Sequence, residues 1–203
     1  MEIGNNIRRC DVLPSTNSLL KAEAEMGLAQ EGAVIVAEHQ TAGRGRFDRQ
    51  WESPPGKGLL FSILLSPDLK SDRMQLIGLM ASLGVVDGVE ELINAECPPS
   101  ASNHNSSSVH LQLKWPNDIL VDGKKLCGIL CETSCDPDGR RFVVAGIGLN
   151  VNQSEDDFPP WLRRTANSLY IITKQTQPRE KLLGLILSYI DLYYRKTVRE
   201  GCG

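Results

Sequence analysis

From position 43 to position 51 the chain reads Gly-Arg-Gly-Arg-Phe-Asp-Arg-Gln-Trp, with three arginines, two glycines and one indole in nine residues. The protein as a whole carries a formal net charge of −3. Cations concentrated on an acidic chain point to an anionic ligand rather than to a generally adhesive surface. Glycines between the arginines let the backbone approach that ligand, so that amide N–H groups can join the guanidinium groups. The planar guanidinium fork suits phosphate or carboxylate, and Trp51, two residues beyond Arg49, offers a face on which a base can stack. Phosphate and base together make a nucleotide. A second reading stays open: an exposed charged loop making surface ion pairs, with Trp51 in the core. The segment is not a P-loop, because it lacks the Gly-Lys-Ser/Thr ending.

A second group of chemical residues lies downstream. Asp122-Gly123 is a strong two-residue hairpin signal between 119–121 and 124–132. If these two form the loop, Val121 faces Lys124 and Leu120 faces Lys125. Lys125 then shares a sheet face with Asp118, its diagonal neighbour, while Lys124 points to the other face. A one-residue slip would exchange the two lysines. The plain alternative is that both are solvated turn residues. Gly146-x-Gly148 is no dinucleotide fingerprint; a glycine-containing strand near a ligand or a bulge accounts for it. His39, His104 and His110 show no ligand spacing, and no Ser/His/Asp arrangement is visible.

The elements that must position these residues follow from pattern. Ser15 or Thr16 caps a helix that Gly27 ends. Residues 33–38 form a short apolar strand leading into the arginine loop, and 58–66 a buried strand. Leu76, Leu79, Met80, Leu83, Val86, Val89, Leu92 and Ile93 trace an amphipathic helix over 72–96. The polar run 98–108 reads as a flexible surface insertion. Residues 110–114 alternate like a strand, Asp136-Pro137-Asp138-Gly139 turns the chain into a strand over 142–152, and Pro178 opens a last apolar helix to about 199. This order predicts an α+β fold with a mixed, largely antiparallel sheet flanked by helices.

At 203 residues the chain suits one domain. No apolar run approaches the roughly 18 residues of a membrane span, and the N-terminus has no secretory apolar core, so the expected location is the cytoplasm without membrane attachment. A pI near 5.7 argues against nucleic acid as a partner. The six cysteines form no C-x-x-C pair. Cys127, Cys131 and Cys135, four apart, fall on one face of a strand, and buried free thiols are expected rather than zinc or disulfides.

Five ordered blocks resemble the biotin protein ligase (biotin–carboxyl-carrier-protein ligase) family. They are Ser15-Thr16-Asn17; Gln40-Thr41-Ala42-Gly43-Arg44-Gly45-Arg46 with Arg49 and Trp51; Lys114-Trp115-Pro116-Asn117-Asp118; Lys125-Leu126 with Gly128-Ile129-Leu130 and Glu132; and Gly146-Ile147-Gly148-Leu149-Asn150. The resemblance implies a catalytic domain like that of class II aminoacyl-tRNA synthetases and biotin ligases, which activates biotin with Mg-ATP as biotinoyl-5′-adenylate and transfers biotin to a carrier-protein lysine. It implies Arg46 and Lys125 as catalytic residues, placed where carboxylate and phosphate meet. Ser15, Thr16, Asn17, Gln40, Gly43, Arg44, Lys125 and Gly128 would hold biotin. Arg46, Arg49, Trp51, Asn117, Asp118 and Asn150 would surround the nucleotide, with Asp118 toward magnesium. A loop from Gly43 to Trp51 closing over the adenylate would shield it from water. The resemblance also allows a homodimer. It departs from the family in having only fourteen residues before Ser15, so no DNA-binding domain is expected, and in ending where members usually carry a small β-barrel. The nearest alternatives are a lipoate–protein ligase-like enzyme and a non-catalytic module that binds biotin or nucleotide.

Overall fold

The computed structural model describes residues 3–47, 49–67, 74–96 and 109–200. The polar run 98–108 lies outside them. Seven strands form one sheet: β1 (Asn6–Leu13), β2 (Ala33–Gln40), β3 (Gly58–Leu65), β4 (Leu111–Lys114), β5 (Asp118–Val121), β6 (Lys124–Cys135) and β7 (Arg141–Asn150). Their order is β1-β2-β3-β7-β6-β5-β4. β1 pairs with β2 in parallel, and the other neighbours are antiparallel. The predicted α+β class with a largely antiparallel sheet is what the structure has.

Two long helices, α2 (Gln75–Glu96) and α4 (Arg179–Glu200), pack on one face. Val34, Val36, Phe61, Ile63, Val143, Ala145, Ile147 and Leu149 meet Ile77, Val85, Val89, Leu183, Ile186 and Ile190 there in a single apolar cluster. Burying a side chain such as Phe61, with no exposed surface, contributes roughly 1.5–3 kcal/mol. A Cβ at Gly84 would fall 2.5 Å from Ile190, and one at Gly88 would fall 2.8 Å from Ile186, so these glycines let the helices approach. The opposite face carries the short helix α1 (Thr16–Glu25), whose Leu20 and Ala24 join Leu13, Ile35, Leu64, Phe142 and Val144.

Ser15 caps α1, its hydroxyl accepting from the Ser18 N–H at 3.4 Å, and Gly27 follows at φ +73°. β1 is the element the sequence pattern does not announce. It lies at the sheet edge and five of its eight residues are exposed, so backbone pairing to β2 holds it rather than an alternating apolar face. The helix α3 (Leu169–Thr173) was equally unheralded. Among the described residues, no helix is long and apolar enough to cross a membrane.

The hairpin at Asp122-Gly123 forms with both residues at positive φ, +52° and +73°, the conformation its two-residue loop demands. Val121 pairs with Lys124 and Leu120 with Lys125, as expected, but Ile119 then pairs with Cys127 and Asp118 with Gly128. Leu126 is the extra residue of a bulge. A regular ladder would have set Cys127 opposite Asp118. The bulge instead turns Cys127 into the apolar core and puts Gly128 on the face of Lys125. The described cysteines are free, yet only Cys127 is buried, while Cys131 and Cys135 are exposed. The expectation that these thiols are buried together is corrected: β6 is buried as far as Ile129, and Cys131, Thr133 and Cys135 beyond it are exposed.

Candidate active site

On the α1 side of the sheet, period-two alternation places Leu60 and Ser62 of β3, Gly128, Leu130 and Glu132 of β6, and Gly146 and Gly148 of β7 on a common face. Ser62 lies opposite Gly146, and Gly128 and Leu60 flank Gly148. With side chains missing from the middle of the sheet, a cleft opens. Its cavity volume is about 50 Å³, and it is lined by residues of α1, β2, the arginine loop, β6 and β7.

One end of the cleft is a chain of neutral hydrogen-bonding groups. The Gln40 carboxamide oxygen accepts from the Thr16 backbone N–H at 2.7 Å and the Thr16 hydroxyl at 3.1 Å. The Ser62 hydroxyl lies 2.7 Å from Thr16 Oγ1 and 2.6 Å from Asn17 Oδ1. Asn17 donates through Nδ2 to the Leu130 carbonyl at 3.1 Å and to Glu132 at 3.0 Å. Gly146 is required beneath Asn17, because a Cβ there would sit 2.0 Å from its Oδ1.

The other end is cationic. Lys125 Nζ lies 2.8 Å from Asp118 Oδ1 and 5.5 Å from the centre of the Trp51 ring. The indole lies on the floor made by Gly148 and Gly128, where added Cβ atoms would come within 2.6 and 3.0 Å of it. Among the described residues, the buried Trp51 Nε1 has no acceptor. Arg46 donates to Asn117 Oδ1 at 3.2 Å, and Asn117 is tied to β6 by its Nδ2 donating to the Ile129 carbonyl at 3.2 Å. Among the described residues, no carboxylate pairs with Arg46. Beneath the floor, burial pushes the Cys127 thiol well above its ordinary range, Lys125 opposing weakly, so it is no nucleophile.

The arginine loop is a small hairpin. The Trp51 N–H donates to the Gly43 carbonyl at 3.0 Å, and the Gly45 N–H to the Arg49 carbonyl at 2.7 Å. Arg44 and Gln50 form a bridge pair. Ser15, Thr16, Asn17, Gln40, Arg44, Arg46, Trp51, Asn117, Lys125 and Gly128 therefore converge on one cleft. Four further candidates do not line it. Gly43 is buried behind the loop, where a Cβ would meet the Trp51 carbonyl at 2.4 Å. Arg49 is exposed and holds the hairpin through its backbone. Asp118 reaches the cleft only through Lys125. Asn150 is buried, its amide donating to the Asn167 carbonyl and accepting from Gln153. Ser62 was overlooked, although it is the one polar residue in the run 58–65 and sits at the centre of the sheet. Glu132, whose carboxylate meets both Asn17 and Arg44, was also overlooked as a site residue.

The chain belongs to the Biotin/lipoate A/B protein ligase family, which it matches over residues 10–152. It is 36% identical over 199 residues to the bifunctional ligase/repressor BirA of Bacillus subtilis, covering 98% of this chain and 57% of that protein. It is 38% identical over 192 residues to the biotin–[acetyl-CoA-carboxylase] ligase of Mycobacterium tuberculosis, covering 93% and 65%. Among solved structures, the biotin protein ligase of Aquifex aeolicus in complex with biotin and ATP superposes with a TM-score of 0.77 at 31% identity, over 97% of this chain and 73% of that one. The chain thus spans somewhat over half the length of the Bacillus relative.

Proposed function

We propose that this chain is a biotin–carboxyl-carrier-protein ligase. Biotin is activated by ATP as biotinoyl-5′-adenylate and then passed to a lysine of a carrier protein. In the first step a carboxylate oxygen attacks the α-phosphorus, and the bond to the bridging oxygen of the β-phosphate breaks, releasing pyrophosphate. In the second the lysine amine attacks the acyl carbon, AMP leaves, and the amine proton passes to solvent. The first step is the electrostatic problem. Two unit negative charges about 4 Å apart repel by roughly 4 kcal/mol in a partly screened site. Arg46 and Lys125, converging on one cleft from separate segments, are the observation that carries the reading, since together they offset that repulsion where the new bond forms.

The neutral chain from Gln40 to Asn17 suits the ureido ring of biotin, whose N–H and C=O groups need fixed partners of both kinds. The unpaired indole N–H of Trp51 supports its place beside the nucleotide. Asp118 is the carboxylate nearest these groups, and the described residues include no cluster of three or more metal-binding side chains. Asp118, which reaches the cleft by way of Lys125, is the carboxylate that would contact magnesium carried in on the triphosphate, and the ion would supply further charge neutralisation at the phosphates. Arg49, Gly43 and Asn150 would then act through the loop hairpin and the β7 end rather than by touching ligand.

Pyrophosphate release from ATP is the test, run with biotin and with lipoate. Release with biotin alone supports the proposal. Preference for lipoate would make this a lipoate enzyme of the same family, and release with neither would make it a binding module.

A further inference from the structure

We infer that Glu132 is a positioning residue that clamps the arginine loop to the sheet and cancels the charge of Arg44, so that the α1 end of the cleft selects an uncharged ring. The inference rests on the proposed activation of biotin and assigns a part in it to a side chain outside the reacting centre. Glu132 lies on β6 two residues past Leu130 and four past Gly128, facing the cleft side of the sheet by alternation. Its side chain retains 16% of its exposure. Arg44 Nη1 stands 3.0 Å from Oε1 and 3.2 Å from Oε2. The same Oε2 accepts from Asn17 Nδ2 at 3.0 Å. The carboxylate therefore closes the hydrogen-bonded chain Gln40–Thr16–Ser62–Asn17 at one end and anchors the first limb of the loop at the other.

The charges divide the cleft. At the Asn17 end, among the described residues, Arg44 is matched by Glu132. At the Lys125 end, Lys125 is matched by Asp118 while Arg46, among the described residues, has no acidic partner. Among the described residues, net positive charge is confined to the Arg46 end, and an acid whose ring is neutral has one favoured orientation. Arg44 is half exposed, so the ion pair contributes little to folding stability. Its consequence is orientation and closure: the loop cannot lift from the sheet without separating Arg44 from Glu132.

The test measures biotin binding by titration calorimetry and adenylate formation by stopped flow, on wild type, Glu132→Gln, Arg44→Gln and the double variant. Glu132→Gln keeps an acceptor for Asn17 and removes only the charge. The expected result is a roughly tenfold weaker Kd for biotin in each single variant, from loss of a charge-assisted contact. The double variant should be no worse than either single one. Free adenylate should also escape faster, read as AMP formed in excess of biotin transferred. A structural role alone would lower the melting temperature and leave the ratio of AMP to transferred biotin at its wild-type value. Wild-type Kd and wild-type AMP ratio in Glu132→Gln, or additive losses in the double variant, would overturn the inference. If Glu132→Gln fails to fold, Glu132→Asp, which keeps the charge but shortens the reach, should raise the AMP ratio with a smaller change in Kd, and wild-type values for both would overturn it equally. Absence of biotin binding by the wild type would instead defeat the proposed function and this inference with it.

Discussion

The two faces of β7 teach different lessons. One runs Val143, Ala145, Ile147, Leu149, all buried in the large core against α2 and α4. The other runs Phe142, Val144, Gly146, Gly148, Asn150, starting against α1 and then losing its side chains where the cleft opens. A single strand thus supplies stability on one side and vacant space on the other. The first face is graded by volume, so what matters there is how well the space is filled. The second is graded by absence, so what matters is that nothing enters it.

That difference can be broken from either side. The largest effect is expected for Gly148→Val, which drives a branched side chain into the Trp51 ring, already within 2.6 Å of a mere Cβ. Adenylate formation should fall by on the order of a hundredfold or more, as expected for misplaced reacting groups, while circular dichroism stays native. Leu149→Ala, one residue along and on the core face, should do the reverse. It should destabilise by about 2–5 kcal/mol in chemical denaturation, with near-normal activity in the folded fraction. Equal effects of the two changes on activity would erase the distinction. Ser62→Ala, at the centre of the neutral end, should cost about 1 kcal/mol of stability and weaken biotin severalfold by leaving Asn17 and Thr16 without a shared partner, both readable by calorimetry. The smallest perturbation is chemical: a thiol reagent should modify Cys135 in the native protein and Cys127 only after unfolding, because Cys127 is buried at the core side of the floor.

How far the sequence discloses this arrangement depends on which force shaped each part. The arginine loop and the Asp122-Gly123 hairpin were legible, because positive-φ turn chemistry and concentrated charge leave local marks. Lys125 could be assigned to the face of Asp118 from the turn alone, and the two side chains do meet at 2.8 Å. The bulge at Leu126 was not legible; it answers to packing across strands, which no local pattern records. β1 was missed because an edge strand held by backbone bonds needs no apolar alternation. Arg49 and Asn150 carry the right chemistry for a ligand but are engaged elsewhere, one in the turn of its own hairpin and the other in a buried amide network. Glu132 looks in sequence like any charged residue on the outer half of a strand. Only the fold brings it to Arg44.

The proposed activation depends most on Arg46 and Lys125, which line the same cleft. Single-turnover measurement of biotinoyl-adenylate formation in Arg46→Ala and Lys125→Ala, beside biotin binding and melting temperature, examines it directly. The expected result is loss of adenylate formation by on the order of a hundredfold to a thousandfold in each, with the melting temperature nearly unchanged. Wild-type rates of adenylate formation in either variant would contradict it.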